Sequence, residues 1–342
     1  MNKKVLITGA AGGIGSPLAS RLVEENLVLV DNLSGGSLQN LQRLQVDVPL
    51  QECDLTNFDQ MEDLFSRQKP THVVHLAATT SLPECQSEPG RAIRNNVEAT
   101  ANLLELSRMH ACKFIFASTS AVYESTANPT FSESDQVKPH LIYPLTKLMS
   151  ENLCESYAKD YGLDVMILRL FNVVGPYQNF FRKSPPLLNY LVLEYLEGRN
   201  PILHSDGKQS RDYVSVFDVC QAFELSLEQV GQKRSTNIMN ICSGTKMSVL
   251  EIDHIVRMTL GTELAPTFSD SNKFWDSYTK LFQGEKHLNR EIVAGEVVKE
   301  SLGTNTTAQD ILGLSFSPPE LWLPEMVAII RKDYLKGIIS KT

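Results

Sequence analysis

Along the first 175 positions, apolar residues fall in short unbroken runs, each followed by a stretch in which they recur every three or four residues. The runs are Val5-Leu6-Ile7-Thr8, Leu27-Val28-Leu29-Val30 and segments 48–53, 71–78, 112–117 and 165–171. Runs without polar alternation suit strands covered on both faces. The intervening segments 16–25, 57–68, 89–109 and 145–161 have helical spacing; in the first of them Leu18, Ala19, Leu22 and Val23 form one face. Strands alternating with helices at this pitch predict an α/β fold with a parallel, doubly wound sheet. From about Gly175 the alternation turns irregular, with Pro185-Pro186, a helix over 187–196 and short strands. That change predicts a first lobe over 1–175 and a smaller substrate-binding lobe over 176–342, with 211–227 returning to the first.

The first run leads into Gly9-Ala10-Ala11-Gly12-Gly13-Ile14-Gly15. A buried strand turning sharply into a helix leaves backbone N–H groups at the helix start, where a pyrophosphate binds. Gly9 permits the turn, Gly12 lets phosphate approach, and Gly15 lets helix pack on strand. The second run ends in Asp31, whose carboxylate accepts from both hydroxyls of an adenosine ribose and repels a 2′-phosphate. NAD is therefore expected over NADP. Asn32, Leu33, Ser34 and Gly36 belong to a flexible loop able to cover that ribose. Asp54 is placed for the adenine amino group and also reads as a cap for helix 57–68. Leu76, Ala77 and Ala78 end their strand in small side chains that let a dinucleotide lie against the backbone.

Composition narrows the partners. A net charge of −8 with 21% charged residues gives no basic surface for nucleic acid or a polybasic membrane anchor. No apolar run approaches the roughly 20 residues of a membrane span. The N-terminal apolar stretch is too short for a signal peptide, and the six scattered cysteines lack zinc-ligand spacing. The expectation is a cytoplasmic protein with reduced thiols and no metal.

The chemistry concentrates in Tyr143-Pro144-Leu145-Thr146-Lys147. Four residues apart on a helix, Tyr143 and Lys147 share a face. An ammonium beside a phenol lowers its pKa from about 10. The phenolate can then take a proton from a substrate hydroxyl. Upstream, Phe114-Ile115-Phe116-Ala117-Ser118-Thr119 delivers hydroxyls at the C-terminal end of a strand, where ligands of parallel sheets sit. Thr119 is placed to bond the same substrate oxygen.

These motifs, with Asp54-Leu55, His75-Leu76-Ala77-Ala78, Asn96-Val97, residues 168–176 and residues 210–219, resemble the extended short-chain dehydrogenase/reductase family, in particular its nucleoside-diphosphate-sugar epimerase/dehydratase group. They run in family order from residue 5 to about 219. The resemblance implies a Rossmann-type sheet with a smaller C-terminal substrate-binding lobe. It also implies NAD held by the glycine turn, including Gly13 and Ile14, together with Leu55, Asn96, Tyr143, Lys147 and Phe171. Asn172 and Arg211 would hold the nucleotide sugar. A guanidinium suits a phosphate, although Arg211 also reads as a surface partner of Asp212. The family's long helices, here 89–109 and 145–161, imply a homodimer, with Leu103, Leu104, Leu106, Met149, Leu153 and Cys154 available to the contact or to the sheet.

Within the group, sugar 4,6-dehydratases carry a Glu after the catalytic Thr to remove the C5 proton. This chain has Ser120-Ala121 there. A C4 epimerase with bound NAD is therefore expected, with dehydratase, 4-keto reductase and non-catalytic NAD sensor as the alternatives. Glu124 departs from a usual Gly, and 261–305, which helps enclose the sugar, resembles the family weakly.

Overall fold

The protein is described from a computed structural model covering residues 3–123, 130–182, 185–231, 237–269 and 300–339. Its strands in chain order are β1 (Lys4–Thr8), β2 (Asn26–Asp31), β3 (Leu50–Glu52), β4 (His72–His75), β5 (Lys113–Thr119), β6 (Thr130–Phe131), β7 (Val165–Leu170), β8 (Asn172–Val174), β9 (Ile202–His204), β10 (Ser210–Ser215), β11 (Asn237–Ile241), β12 (Lys246–Ser248), β13 (Thr267–Ser269) and β14 (Leu302–Gly303). Seven of them form one parallel sheet in the order β11-β7-β5-β4-β1-β2-β3. The order reverses direction between β1 and β4, which makes that edge of the sheet the switch point where ligands bind in such folds.

Why the apolar runs lack alternation is visible in how the sheet is covered. Leu6, Val28, Val30, Val73, Phe114, Phe116 and Ile167 enter one buried cluster, while their neighbours Val5, Ile7, Leu29, Val74, Ile115, Met166 and Leu168 enter the other. Side chains two apart share a face, so both faces must be apolar. Leu103, Leu104, Leu106 and Cys154 are fully buried on the sheet side, which removes them from any contact between copies. Ile93, Met109, Leu145, Met149 and Tyr161 are the exposed apolar residues of the same helices.

Element ends differ from the periodicity in instructive ways. The first helix is Gly15–Arg21, shorter than 16–25, because Leu22 leaves helical geometry and Glu25 closes a turn onto it; Val23 is exposed. The 48–53 strand contracts to β3, and the 71–78 strand ends at His75, freeing Leu76 to Ala78 from the ladder. The 89–109 helix is Pro89–Ile93 and Ala99–Met109 joined by a π-turn, Arg94–Glu98, in which Ala99 N–H bonds to Arg94 O.

Strands after Val174 build smaller sheets, β12-β10-β8, β13-β9 and β14-β6, drawing in the earlier β8 and β6. Helix Val216–Gln229 packs back against helix Gly15–Arg21, with Arg21 paired to Glu224, and β11 adds to the main sheet beside β7. β8 pairs with β10 in parallel, Asn172 opposite Tyr213, so the strand after Phe171 ties both parts together.

Candidate active site

The glycine turn closes tightly. Gly9 has φ +68°, and a Cβ there would stand 2.9 Å from Ala77 N; at Gly15 it would stand 2.1 Å from Gly9 O. A Cβ on Gly13 would stand 3.0 Å from Gln178 Cγ. Ile14 caps the following helix without a side-chain hydrogen bond. Asp31 is buried, with Oδ2 accepting from Ala11 N at 3.0 Å and Oδ1 from Leu33 N at 2.8 Å. Gly36 lies against Ala11 and the Asp31 carboxylate, where a Cβ would come within 2.9 Å of Oδ2. The loop expected to be flexible is built from turns: Asn32 Oδ1 accepts from both Ser34 N and Ser34 Oγ. Asp54 is exposed and does not cap the next helix. It accepts from Thr56 N and Oγ1, while Asn57 makes the cap to Gln60 N. Leu55 is buried beside it, and Leu76, Ala77 and Ala78 are half-buried at the end of β4.

β5 carries Thr119 to its C-terminal end, and helix Ile142–Tyr161 carries Tyr143 in its first turn and Lys147 one turn later. The Thr119 hydroxyl acts on the Tyr143 phenol and favours its ionised form. Lys147 is buried, donating from Nζ to Ala117 O at 2.7 Å and lying 4.6 Å from the centre of the Phe116 ring. Burial pulls its pKa down to about 8. The expected depression of the phenol by Lys147 is not what the structure shows. Burial dominates and pushes Tyr143 up to about 12, opposed by the Thr119 hydrogen bond and, more weakly, by the Arg182 charge. Lys147 spends its Nζ on Ala117 O and is not among the charges that act on the phenol.

Asn172 donates from Nδ2 to Asp212 O at 3.1 Å, and Arg211 is half-buried with Nη1 bonded to Ser210 O at 3.1 Å. Arg211 does not pair with Asp212, because successive side chains of β10 point to opposite faces. The buried Asp212 carboxylate instead accepts from Ser243 N, Ser243 Oγ, Gly244 N and Gly303 N at 2.8 to 3.1 Å. Two further residues named for the cofactor are buried. Asn96 has its amide engaged by Thr79 N, Thr79 O and Thr146 Oγ1. Phe171 is buried with its ring toward Gly303, where a Cβ would stand 2.6 Å from Cζ.

Residues 5–242 match the NAD dependent epimerase/dehydratase family. The chain belongs to this family. It is 32% identical over 263 residues to a UDP-N-acetyl-alpha-D-glucosaminuronate decarboxylase of Bacillus cytotoxicus, covering 74% of this chain and 78% of that one. It is also 32% identical over 282 residues to a UDP-glucose 4-epimerase of Corynebacterium glutamicum, covering 77% and 83%. Among solved structures, UDP-glucose 4-epimerase of Thermotoga maritima with UDP-glucose superposes with a TM-score of 0.83 at 28% identity, covering 97% of this chain and 99% of that one. The chain is thus an enzyme of this family with NAD as its cofactor, and its own residues fit that group. The cradle at Gly9, Gly12, Gly13 and Gly15 has no room for side chains, and Asp31 stands at the C-terminal end of β2, where it would meet the adenosine ribose.

Three participants escaped the sequence reading. Glu151 joins Ser118 Oγ to the Arg169 guanidinium beneath Thr119, with Arg169 Nη2 at 2.7 Å. A signal existed: Glu151 lies four residues after Lys147, and a lone arginine inside the buried run 165–171 demands a partner. Arg182, whose charge acts on Tyr143, carries no such pattern. Residues 270–299 and Glu124 lie outside the described residues.

Proposed function

We propose that the chain is a nucleotide-sugar 4-epimerase acting on a UDP-sugar. The observation that carries this is the Thr119–Tyr143 hydroxyl pair, backed by Lys147 and followed by Ser120-Ala121 rather than a carboxylate. NAD supplies a reversible hydride acceptor for the C4 carbinol. Tyr143 removes the C4 hydroxyl proton and returns it once the 4-keto sugar has turned, serving as base and then acid. Thr119 holds the oxygen that gains and loses charge. Asn172 and Arg211 hold the diphosphate, where a guanidinium fork suits paired oxyanions, leaving the hexose free to rotate. Without a base at C5 the 6-hydroxyl stays.

One relative favours a second reading. A decarboxylase also needs no C5 base, since a 4-keto uronate loses CO₂ from C6, and the Bacillus cytotoxicus enzyme is of that kind by name. Proton NMR of the purified protein in D₂O, with no nicotinamide added, separates the readings over UDP-glucose, UDP-glucuronate and their N-acetylated counterparts. The account expects a C4 epimer without ring deuterium. A pentose product would make the enzyme a decarboxylase. Deuterium at C5 with loss of the 6-hydroxyl would make it a dehydratase, and turnover only with added NADH and a 4-keto sugar a reductase. The exposed apolar residues of helix Ile142–Tyr161 and of 89–109 support a homodimer through those two helices.

A further inference from the structure

At the end of β4, His75 sits in a chain of buried side chains that links the cofactor cradle to the catalytic helix. Thr8 Oγ1, at the last residue of β1, accepts from Leu76 N and Ala77 N, both at 3.2 Å. Its hydrogen is left for His75 Nδ1, 2.8 Å away. On the other side of the ring, His75 Nε2 lies 3.0 Å from Thr100 Oγ1, which spends its own hydrogen on Asn96 O at 2.5 Å. The directions are therefore determined: Nδ1 accepts, Nε2–H donates. Asn96 is in the π-turn, its carbonyl also reached by Ser150 Oγ at 3.2 Å. Its Nδ2 donates to Thr146 Oγ1, which donates to Tyr143 O at 2.7 Å.

We propose that Thr8, His75, Thr100, Asn96 and Thr146 form a positioning chain, with His75 as its Nε2–H tautomer, that sets Tyr143 in register with the floor of the dinucleotide cradle. The proposal rests on the reading of Tyr143 as the proton-transfer group. Two features of the chain support it. Its start, Thr8 to Ala77, is also the point of closest approach to Gly9, so the same atoms define the cradle. Its far end passes through a π-turn, a local irregularity that is frequent at functional sites and costs regular helical bonding. Burial, with Lys147 nearby, holds the imidazole down to about 3, so the ring stays uncharged and the bond directions do not reverse in the working range. Phe114 and Phe116 flank the ring at 6.1 and 5.7 Å between centroids, a setting that would accept an aromatic hydrocarbon equally well. Packing alone does not call for a histidine here; two opposed hydrogen bonds do.

The test uses the NAD-loaded enzyme. His75→Phe, Thr100→Val and the double variant are compared with the starting protein for kcat, KM of the sugar nucleotide, and NAD released on denaturation. The expected result is a loss in kcat of about 10- to 100-fold in each single variant, the size a misplaced catalytic group produces. KM and NAD content stay within about twofold, and the double variant is no slower than the worse single, as for members of one network. Unchanged kcat in a folded, NAD-loaded His75→Phe, or losses that multiply, would overturn the proposal. Tyr143→Phe run alongside keeps the two readings apart: if it retains full rate, the assignment of Tyr143 fails first. Should His75→Phe not fold, nitrogen-15 NMR of the intact enzyme decides. A pyridine-type Nδ1 and a protonated Nε2 across pH 6 to 8 are expected, and the opposite tautomer or a titration in that window refutes the chain.

Discussion

Lys147 is held almost without water, with a single carbonyl, Ala117 O, as its hydrogen-bond acceptor. Burial disfavours its charged form and brings its pKa to about 8, below the ordinary lysine value. The sign of the consequence follows from proton binding. Between about pH 8 and the unfolded lysine value, the unfolded chain binds more protons than the folded one, so stability rises with pH across that window. Below it, folding carries the full cost of burying the ammonium. Lys147→Met is therefore expected to raise the melting temperature at pH 7 and to lose that advantage above about pH 10.5, as thermal melts at the two pH values would show. A gain that persists at high pH would mean that the charge is not what burial penalises. In the unaltered enzyme kcat is expected to fall as pH rises through about 8, where Lys147 loses its proton, and Lys147→Met, slow at every pH, is expected to lack that fall in a pH–rate profile. Tyr143, pushed the other way by burial, stays protonated in the folded protein across this range and needs a cation to give up its proton. Arg182 acts on it in this way, and the positive charge of an oxidised nicotinamide ring would add to the effect when NAD is bound.

At the scale of elements, the site depends on two strands and one helix being fixed to each other by charge. Glu151 of helix Ile142–Tyr161 takes Arg169 of β7 at 2.7 Å and Ser118 of β5, so the strand ending in Thr119 and the helix bearing Tyr143 move together. Tyr123 OH completes the Arg169 cluster at 2.8 Å and donates to Asn240 of β11 at 2.9 Å. Removing one partner leaves an uncompensated buried charge, at a cost of about 3 to 5 kcal/mol. Arg169→Met should thus destabilise the protein by that order in urea melts, whereas Arg169→Met with Glu151→Leu should recover much of the loss. A double variant as unstable as the single would show that the cluster acts through packing. The elements themselves were legible where the signal is local: unbroken apolar runs gave six of the seven strands of the main sheet near their true places, and Leu187–Leu196 was read to the residue. The π-turn was not, since nothing in the composition of Arg94–Glu98 marks it, and the bonds that Thr100 and Ser150 make to Asn96 O there depend on the packed structure. β11 escaped for a related reason: Asn237 to Ile241 is too short and polar to stand out until β7 supplies an edge for it.

Across the whole molecule, the switch point between β1 and β4 places the glycine turn, the β4 end and the β5 end on one edge of the sheet. β8, at the end of the first part, pairs with β10 of the second and so sets Asn172 and Arg211 on adjacent strands. Chemistry that the sequence carried as separate motifs is thereby gathered by the topology, whereas the burial of Asn96 and Phe171 was not legible, because position along a motif does not reveal what a side chain packs against. Among the described residues no helix is long and apolar enough to cross a membrane. The central claim is that one hydrogen leaves C4 and returns to C4 within the same enzyme-bound cycle. The most direct measurement is the fate of deuterium placed at C4 of the hexose in UDP-glucose, followed by NMR in ordinary water without added nicotinamide. The account predicts that the C4 epimer keeps its deuterium, forms more slowly than from unlabelled substrate, and vanishes as a product with Tyr143→Phe. Label lost to water or transferred to C6 would contradict it.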